Sequence, residues 1–527
     1  MTRQFQLLST SAYLVAAVLL IGLCLQASEG HFIYTLDDPY IHLAVAENIL
    51  RGGYGINLSE FSSPSSSILW PYLMAGTLWL GVGDWGPLLV NVPATTASVW
   101  IFSGLLWKLI GADAQVRGKR FWMPAVALFA ILSINAIALP MTGMEHSLHV
   151  LGAILVVSGL AELVEREKTA SWQLVFGIVL CSLIRFEGLA LSLAALVALV
   201  WMRKYRTALF GALMLGVTFG AWTAFMLKHG LPLLPSSVMV KSQLAAAAAD
   251  GSLLSALKST ALHLYASLTN SQGVFLALSI AFLSITFGFV GKSCDKRRAV
   301  LLVVVPASFA LIAHLLFGAY GWFGRYEVYA IAIAISSLAC SLPVAIPMAS
   351  HSAFRLAGIC TVLAVAAVPY LAVTAKSPAA SRNIYEQQFQ MHRFATEFFP
   401  RNVGVNDLGW VAYKNDAYVL DLYGLGSEQV RRLRGSGQMT SERMAQVVEE
   451  YGVDYVMLYD SWFKGVIPLQ WCRIAVLQTS KVTAADDKVA FYLVRSGKRR
   501  EMTAQLTTFA TGLPLGSSLE ILGCAEP

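Results

Sequence analysis

Along this chain, apolar residues come in long blocks separated by short polar punctuation. Blocks at 9–27, 86–108, 121–141, 146–163, 172–184, 188–202, 207–227, 273–291, 299–317, 327–347 and 355–374 predict helices. Most approach the roughly 18–20 apolar residues that cross a ~30 Å hydrocarbon core. Those at 172–184 and 188–202 are short and predict tilted or partly inserted helices. The run "SSSILWPYLMAGTLWLGVG" (65–83) is short and holds Pro71, so it predicts a juxtamembrane helix. "YIHLAVAENILRGG" predicts an amphipathic helix, with Ile41, Ala44, Val45, Asn48 and Ile49 near helical spacing and Gly52-Gly53 as its stop. After residue 376 the pattern shortens. "NIYEQQFQMHRFATEFF" predicts an amphipathic helix, and "VGVNDLGWVAY", "YVLDLYGL", "DYVMLY" and "VAFYLV" predict strands. The fold class expected is a polytopic α-helical membrane protein. Residues 1–376 would supply about eleven crossings and juxtamembrane helices, with a first outward loop at 28–85. Residues 377–527 would form a soluble α/β domain.

Composition agrees with this division. The chain has 527 residues, 56% hydrophobic and 13% charged, against roughly 25% charged in soluble proteins. Of its 69 charged side chains, 32 lie in the last 151 residues. With the N-terminus inside, the cytoplasmic loops together with Arg3 hold 15 of the 22 basic residues before position 377. That is the positive-inside bias, and it accounts for the net charge of +7. No basic run with interleaved aromatics occurs, so nucleic acid is not an expected partner. Treating 65–83 as a crossing would put "GKR" and "EREK" outside and break the bias. "LVAAVLLIGLCLQAS" followed by further spans reads as a retained first helix rather than a cleaved signal.

This topology puts every unusual polar cluster on the extracytoplasmic side, together with the C-terminal domain. The first cluster is Asp37-Asp38. A like-charge neighbour and partial burial raise a carboxyl pKa toward general-base duty. Asp38-Pro39 also suits a helix start, with Asp as cap and Pro in the first turn. That split leaves Asp37 for chemistry. Lys241, Arg185 and Arg325 are scarce outer-face cations. They suit a phosphate, a lipid headgroup, or pairing with Glu187 and Glu327. Arg185 and Arg325 each stand two residues from Glu, and that spacing on a helix does not favour a direct pair. Glu145 in "TGMEHSLH" suits a helix start. His42, His146 and His149 form no metal-ligand spacing. One acidic pair with no third carboxylate nearby argues against a tight divalent site.

No glycine-rich nucleotide loop occurs, so a soluble nucleotide donor is not expected. Cys472 and Cys524 both fall in the outer domain, where oxidation is permitted, and are expected to pair and pin the C-terminal tail.

"DDPYI" (37–41), "SSPSSSILW" (62–70), "TGMEHSL" (142–148), "RFEG" (185–188), "LPSSVMVK" (234–241), "GRYEVY" (324–329), "NDLG" (406–409) and "DLYGL" (421–425) follow one another along nearly the whole chain. In that order they resemble the GT-C superfamily of membrane glycosyltransferases, and within it the terminal arabinofuranosyltransferase-like group. Phe186 stands where that group tends to have Pro, and Ser236-Ser237 where it tends to have Asn-Thr. The resemblance implies a GT-C-like catalytic region at 1–376 in a bacterial plasma membrane. The donor would be a polyprenyl-phosphate sugar, a co-substrate that needs no cofactor. The acceptor would be a glycan, lipid or protein of the envelope. Asp37, beside Asp38, would take the acceptor's proton in a single inverting displacement. Arg325, Lys241 and Arg185 would hold the lipid phosphate. Tyr40, His42, Glu145, Glu187, Tyr326 and Trp70 would meet substrate, with Trp322 beside them. The aromatic residues equally suit an interfacial belt. The rival class is a transporter or flippase of a glycolipid or anionic solute. Charges gathered on one side and the lack of a visible inverted repeat argue against it.

Overall fold

The computed structural model describes residues 2–111, 119–166, 172–241, 253–290, 294–345 and 352–523. It is mostly helical. Among the described residues, seven helices are long and apolar enough to cross a membrane, and four more apolar helices are shorter. The shorter ones are Trp122–Ser133, Trp172–Ile184, Gly188–Trp201 and Val328–Val344. Each apolar block read from the sequence coincides with one of these helices. The first helix, Thr2–Ala27, buries Phe5, Ser9, Tyr13, Ala17, Leu20 and Cys24, a single stripe at three- to four-residue spacing. Its other faces carry exposed Val15, Val18 and Leu19. His146–Arg166, by contrast, is buried along most of its length and forms the centre of the bundle.

Between these spans the chain departs from expectation in three places. The helix expected over 121–141 stops at Ser133, because Asn135 adopts a left-handed conformation at φ 50°. The chain then makes a short 3-10 turn at Leu139–Thr142. A helix at Leu253–Thr269 was not expected. Lys258, Ser259, Thr260 and His263 interrupt its apolar pattern. The helix expected at 355–374 runs from Ser352 to Glu386, through the expected domain boundary, with Pro369 and Pro378 inside it.

Two short helices, Asp38–Leu50 and Trp70–Trp79, lie between the first two spans. Both have proline in the first turn, where its missing N–H costs no hydrogen bond. The Ser67 hydroxyl accepts the Trp70 N–H at 3.0 Å and closes the second helix's start.

The C-terminal region holds one six-stranded sheet. Its strands are β1 Val403–Val405, β2 Val419–Asp421, β3 Tyr455–Leu458, β4 Cys472–Gln478, β5 Lys488–Leu493 and β6 Ser518–Ile521, in spatial order β2-β1-β3-β5-β4-β6. Strand β1 pairs in parallel with β2 and β3, and the remaining pairings are antiparallel. Only the first three residues of "VGVNDLGWVAY" are strand. Gly409–Ala412 forms a single helical turn instead, and that turn meets the membrane-embedded part.

Candidate functional site

The structure separates the two adjacent acids. Asp37 is buried. Its Oδ2 accepts the Gly409 N–H at 2.7 Å and its Oδ1 accepts the Trp410 N–H at 2.8 Å. A Cβ on Gly409 would lie 2.1 Å from the Asp37 carbonyl oxygen and 2.5 Å from its Oδ2, so no other residue fits there. Burial pushes the Asp37 carboxyl well above the usual range, and Asp407 nearby adds to the push; the two N–H donors pull the other way. Tyr40 sits at the same junction, its ring stacked on Trp410 with centroids 3.9 Å apart. Asp37 and Tyr40 therefore clamp the sheet region onto the membrane part.

The cap position falls on Asp37, and Asp38, expected as the cap, is the first helical residue. Its carboxylate pairs with Arg325 and lines a cavity of about 600 Å³, within the usual range for ligand sites of roughly 300–1,000 Å³. Asp37, expected to be free, is thus engaged by two backbone N–H groups, and Asp38 lines the cavity. Asp37 is one residue nearer the docked domain and meets its amide nitrogens. Asp38 opens onto the cavity.

Arg325 is presented by a strained turn. Gly321, Trp322, Phe323 and Gly324 all have positive φ, at 77°, 47°, 66° and 62°. For bulky L-residues the left-handed region costs roughly 1–2 kcal/mol each. Asn135 steadies the turn by donating to the Gly324 carbonyl at 3.1 Å, and Glu327 accepts the Gly321 N–H at 2.8 Å. Burial raises the Glu327 carboxyl to about 7. Arg325 is 1% exposed. Its Nη2 serves Asp38 and donates to the Tyr326 hydroxyl at 2.9 Å. Its Nε and Nη1 have no hydrogen-bond partner among the described residues.

Arg185 also lines the cavity, in the turn between the helices Trp172–Ile184 and Gly188–Trp201. It does pair with Glu187, against the expectation from helical spacing. The turn lets Nε and Nη2 reach both carboxylate oxygens, at 3.2 and 2.7 Å. Nη1 donates to Glu145 at 2.7 Å and to the Ser66 hydroxyl at 3.3 Å. Burial opposes the Arg185 charge, but Glu187 and Glu145 outweigh it and raise its pKa. Burial likewise works against Glu187, and Arg185 overcomes it, holding the carboxyl down at about 2. Tyr326 lies between the two guanidinium groups, 4.9 Å from Arg325 and 5.7 Å from Arg185.

Of the residues singled out in the sequence, Asp38, His42, Arg185, Glu187, Arg325 and Tyr326 line this cavity, and Glu145 braces Arg185 from behind. Trp70 is fully buried in the core and Trp322 is half exposed. Lys241 ends the helix Ser236–Lys241, but its side chain lies outside the described residues. Cys472 is disulfide-bonded; Cys524 lies outside the described residues. Among the described residues no cluster of three or more His, Cys, Asp or Glu could hold a metal ion. The structure adds Ser237, His314 and Tyr329 to the cavity wall. A lone histidine within "LIAHLLF" was the available signal for His314, since an ionisable residue inside an apolar span marks a functional site by default.

Residues 382–492 match a family described as Domain of unknown function (DUF8728). No curated protein matches the chain. Among solved structures, the chain is similar to the cryo-EM structure of the arabinofuranosyltransferase AftD from Mycobacteria, at 15% identity and a TM-score of 0.45. The match covers 92% of this chain and 42% of that one, so this chain spans less than half the length of that protein.

Proposed function

We propose that this chain is a membrane glycosyltransferase of the GT-C type. It moves a sugar from a polyprenyl-phosphate donor to an envelope glycan, lipid or protein acceptor on the outer face of a bacterial plasma membrane. Arg325 is the observation that carries this reading. A buried donor left without a partner costs about 1–3 kcal/mol, and Arg325, which lines the cavity, keeps two such donor nitrogens, Nε and Nη1, among the described residues. A phosphate oxygen satisfies them through charge-assisted bonds. The same guanidinium holds Asp38, so base and leaving phosphate share one anchor.

In the reaction, the acceptor hydroxyl oxygen bonds to the anomeric carbon as that carbon's bond to the phosphate oxygen breaks. The electron pair leaves with polyprenyl phosphate, and the hydroxyl proton passes to Asp38. One displacement inverts the anomeric carbon. Arg325 meets the charge that develops on the phosphate, and Arg185 lines the same cavity with its charge paired to Glu145 and Glu187. Asp38 takes the role first expected of Asp37, whose oxygens are occupied by amide nitrogens. The lipid-linked sugar is the co-substrate, and the scheme uses no divalent metal. The outward orientation is supported by the basic cytoplasmic loops and by the disulfide at Cys472.

The test uses purified full-length protein in lipid nanodiscs with synthetic polyprenyl-phosphate sugars and an acceptor glycan. Wild type is expected to transfer sugar, and Arg325→Gln to lose donor binding. No transfer from any donor, together with substrate-dependent flux in proteoliposomes, would favour the transporter or flippase instead.

A further inference from the structure

The cavity lining is chemically mixed. Besides the charged Asp38, Arg185, Glu187 and Arg325, neutral polar side chains line it, Ser237, His314 and Tyr329 among them. These neutral side chains play no part in the proton and phosphate chemistry above.

His314 is held from three sides. Its Nδ1 lies 3.1 Å from the Tyr329 hydroxyl. Its ring lies against Gly318, where a Cβ would come within 2.3 Å of Nδ1. The edge-on ring of Tyr320 packs on it at 5.0 Å. Tyr329 is itself fixed by stacking on His149 at 4.0 Å. With Nδ1 engaged by the Tyr329 hydroxyl, Nε2 is the ring nitrogen left over, a donor in the tautomer where Tyr329 donates to Nδ1 and an acceptor in the other. That Nε2 has no hydrogen-bond partner among the described residues, and neither has the Ser237 hydroxyl. Both residues are more than nine-tenths buried.

An unused imidazole nitrogen and an unused hydroxyl, on residues held in place in the cavity lining, match neutral hydroxyl groups, which both donate and accept, rather than anions. We infer that these neutral side chains form the subsite for the hydroxyls of the donor's sugar ring, with His314 and Ser237 as the residues that set which sugar is accepted. The inference rests on the glycosyltransferase reading. It adds which side chains of the cavity meet the sugar rather than the phosphate.

Binding separates the two. Affinities of the full-length protein in nanodiscs are measured for polyprenyl phosphate alone and for polyprenyl-phosphate arabinofuranose and hexose. Wild type is expected to bind one sugar-bearing lipid more tightly than the bare phosphate. His314→Phe should lose that increment, by about 3- to 10-fold, the worth of one hydrogen bond, while keeping its affinity for polyprenyl phosphate. Retained phosphate affinity also reports that the variant is folded. Ser237→Ala, a smaller change, should lose part of the same increment and serves should His314→Phe not fold. An unchanged increment in both folded variants, or no increment in wild type, would overturn the inference. Loss of phosphate binding in Arg325→Gln is a separate outcome and tests only the phosphate site.

Discussion

The carboxylate of Asp37 reaches across the chain to Gly409, 372 residues away, and accepts its backbone N–H at 2.7 Å. With the Trp410 N–H as second donor, this contact fastens the sheet region beside the cavity. The acid next to it, Asp38, is thereby left as the one facing the site.

Gly409→Ala is expected to undock the C-terminal region, because its methyl would overlap Asp37. Asp37→Asn keeps one acceptor oxygen and sets an amide N–H against a backbone N–H. A lost hydrogen bond to a charged group costs about 1.5–3 kcal/mol. Both variants should lower the thermal transition and speed limited proteolysis after residue 386. A wild-type transition in Gly409→Ala would contradict the clamp.

The clamp was not legible in the sequence, since nothing local to "DDPY" reveals a partner so far along the chain. Helical grammar assigned the cap to Asp38, yet the structure satisfies the acids through tertiary contacts. The apolar spans were legible because length and composition alone decide them. The Arg185 and Glu187 pair was misjudged for a different reason. Residues two apart do not meet on a helix, but these lie in a turn where both side chains can fold back together. Ser237 and His314 needed the packed cavity before either had a neighbour to explain it.

Arg185 is braced by Glu145 and Glu187, and Glu145 is fully buried. Removing one partner from a buried charge network costs roughly 3–5 kcal/mol, because the other charge is left unpaired. Arg185→Gln should therefore lower the thermal transition strongly. Arg185→Lys should do so as well, since an ammonium cannot serve both glutamates with a bidentate fork. A thermal transition unchanged in both variants would show that the network does not hold the cavity.

Glu327 supplies a pH signature. Its folded pKa of about 7 lies above the ordinary value of 4.5 because the carboxyl is buried. The folded state thus holds a proton that the unfolded state has released, and stability falls as pH rises through that interval. Below the ordinary value this group costs nothing, and above about 7 the cost is complete. Thermal transitions recorded from pH 4.5 to 8 should show this decline, and Glu327→Gln should flatten it. An unaltered slope in the variant would contradict the assignment.

The central claim is that Asp38, held by Arg325 at the cavity, removes the acceptor's proton, and that Asp37 does not. It is tested most directly by initial transfer rates from a polyprenyl-phosphate sugar for wild type, Asp38→Asn and Asp37→Asn, each normalised to folded protein. A general base contributes about 10²- to 10⁴-fold, so Asp38→Asn should lose that much activity per folded molecule, and its thermal transition should also fall because the buried Arg325 loses its carboxylate partner. Asp37→Asn should be less stable yet keep most of its activity per folded molecule. Full activity in Asp38→Asn, or a folded but inactive Asp37→Asn, would contradict the account.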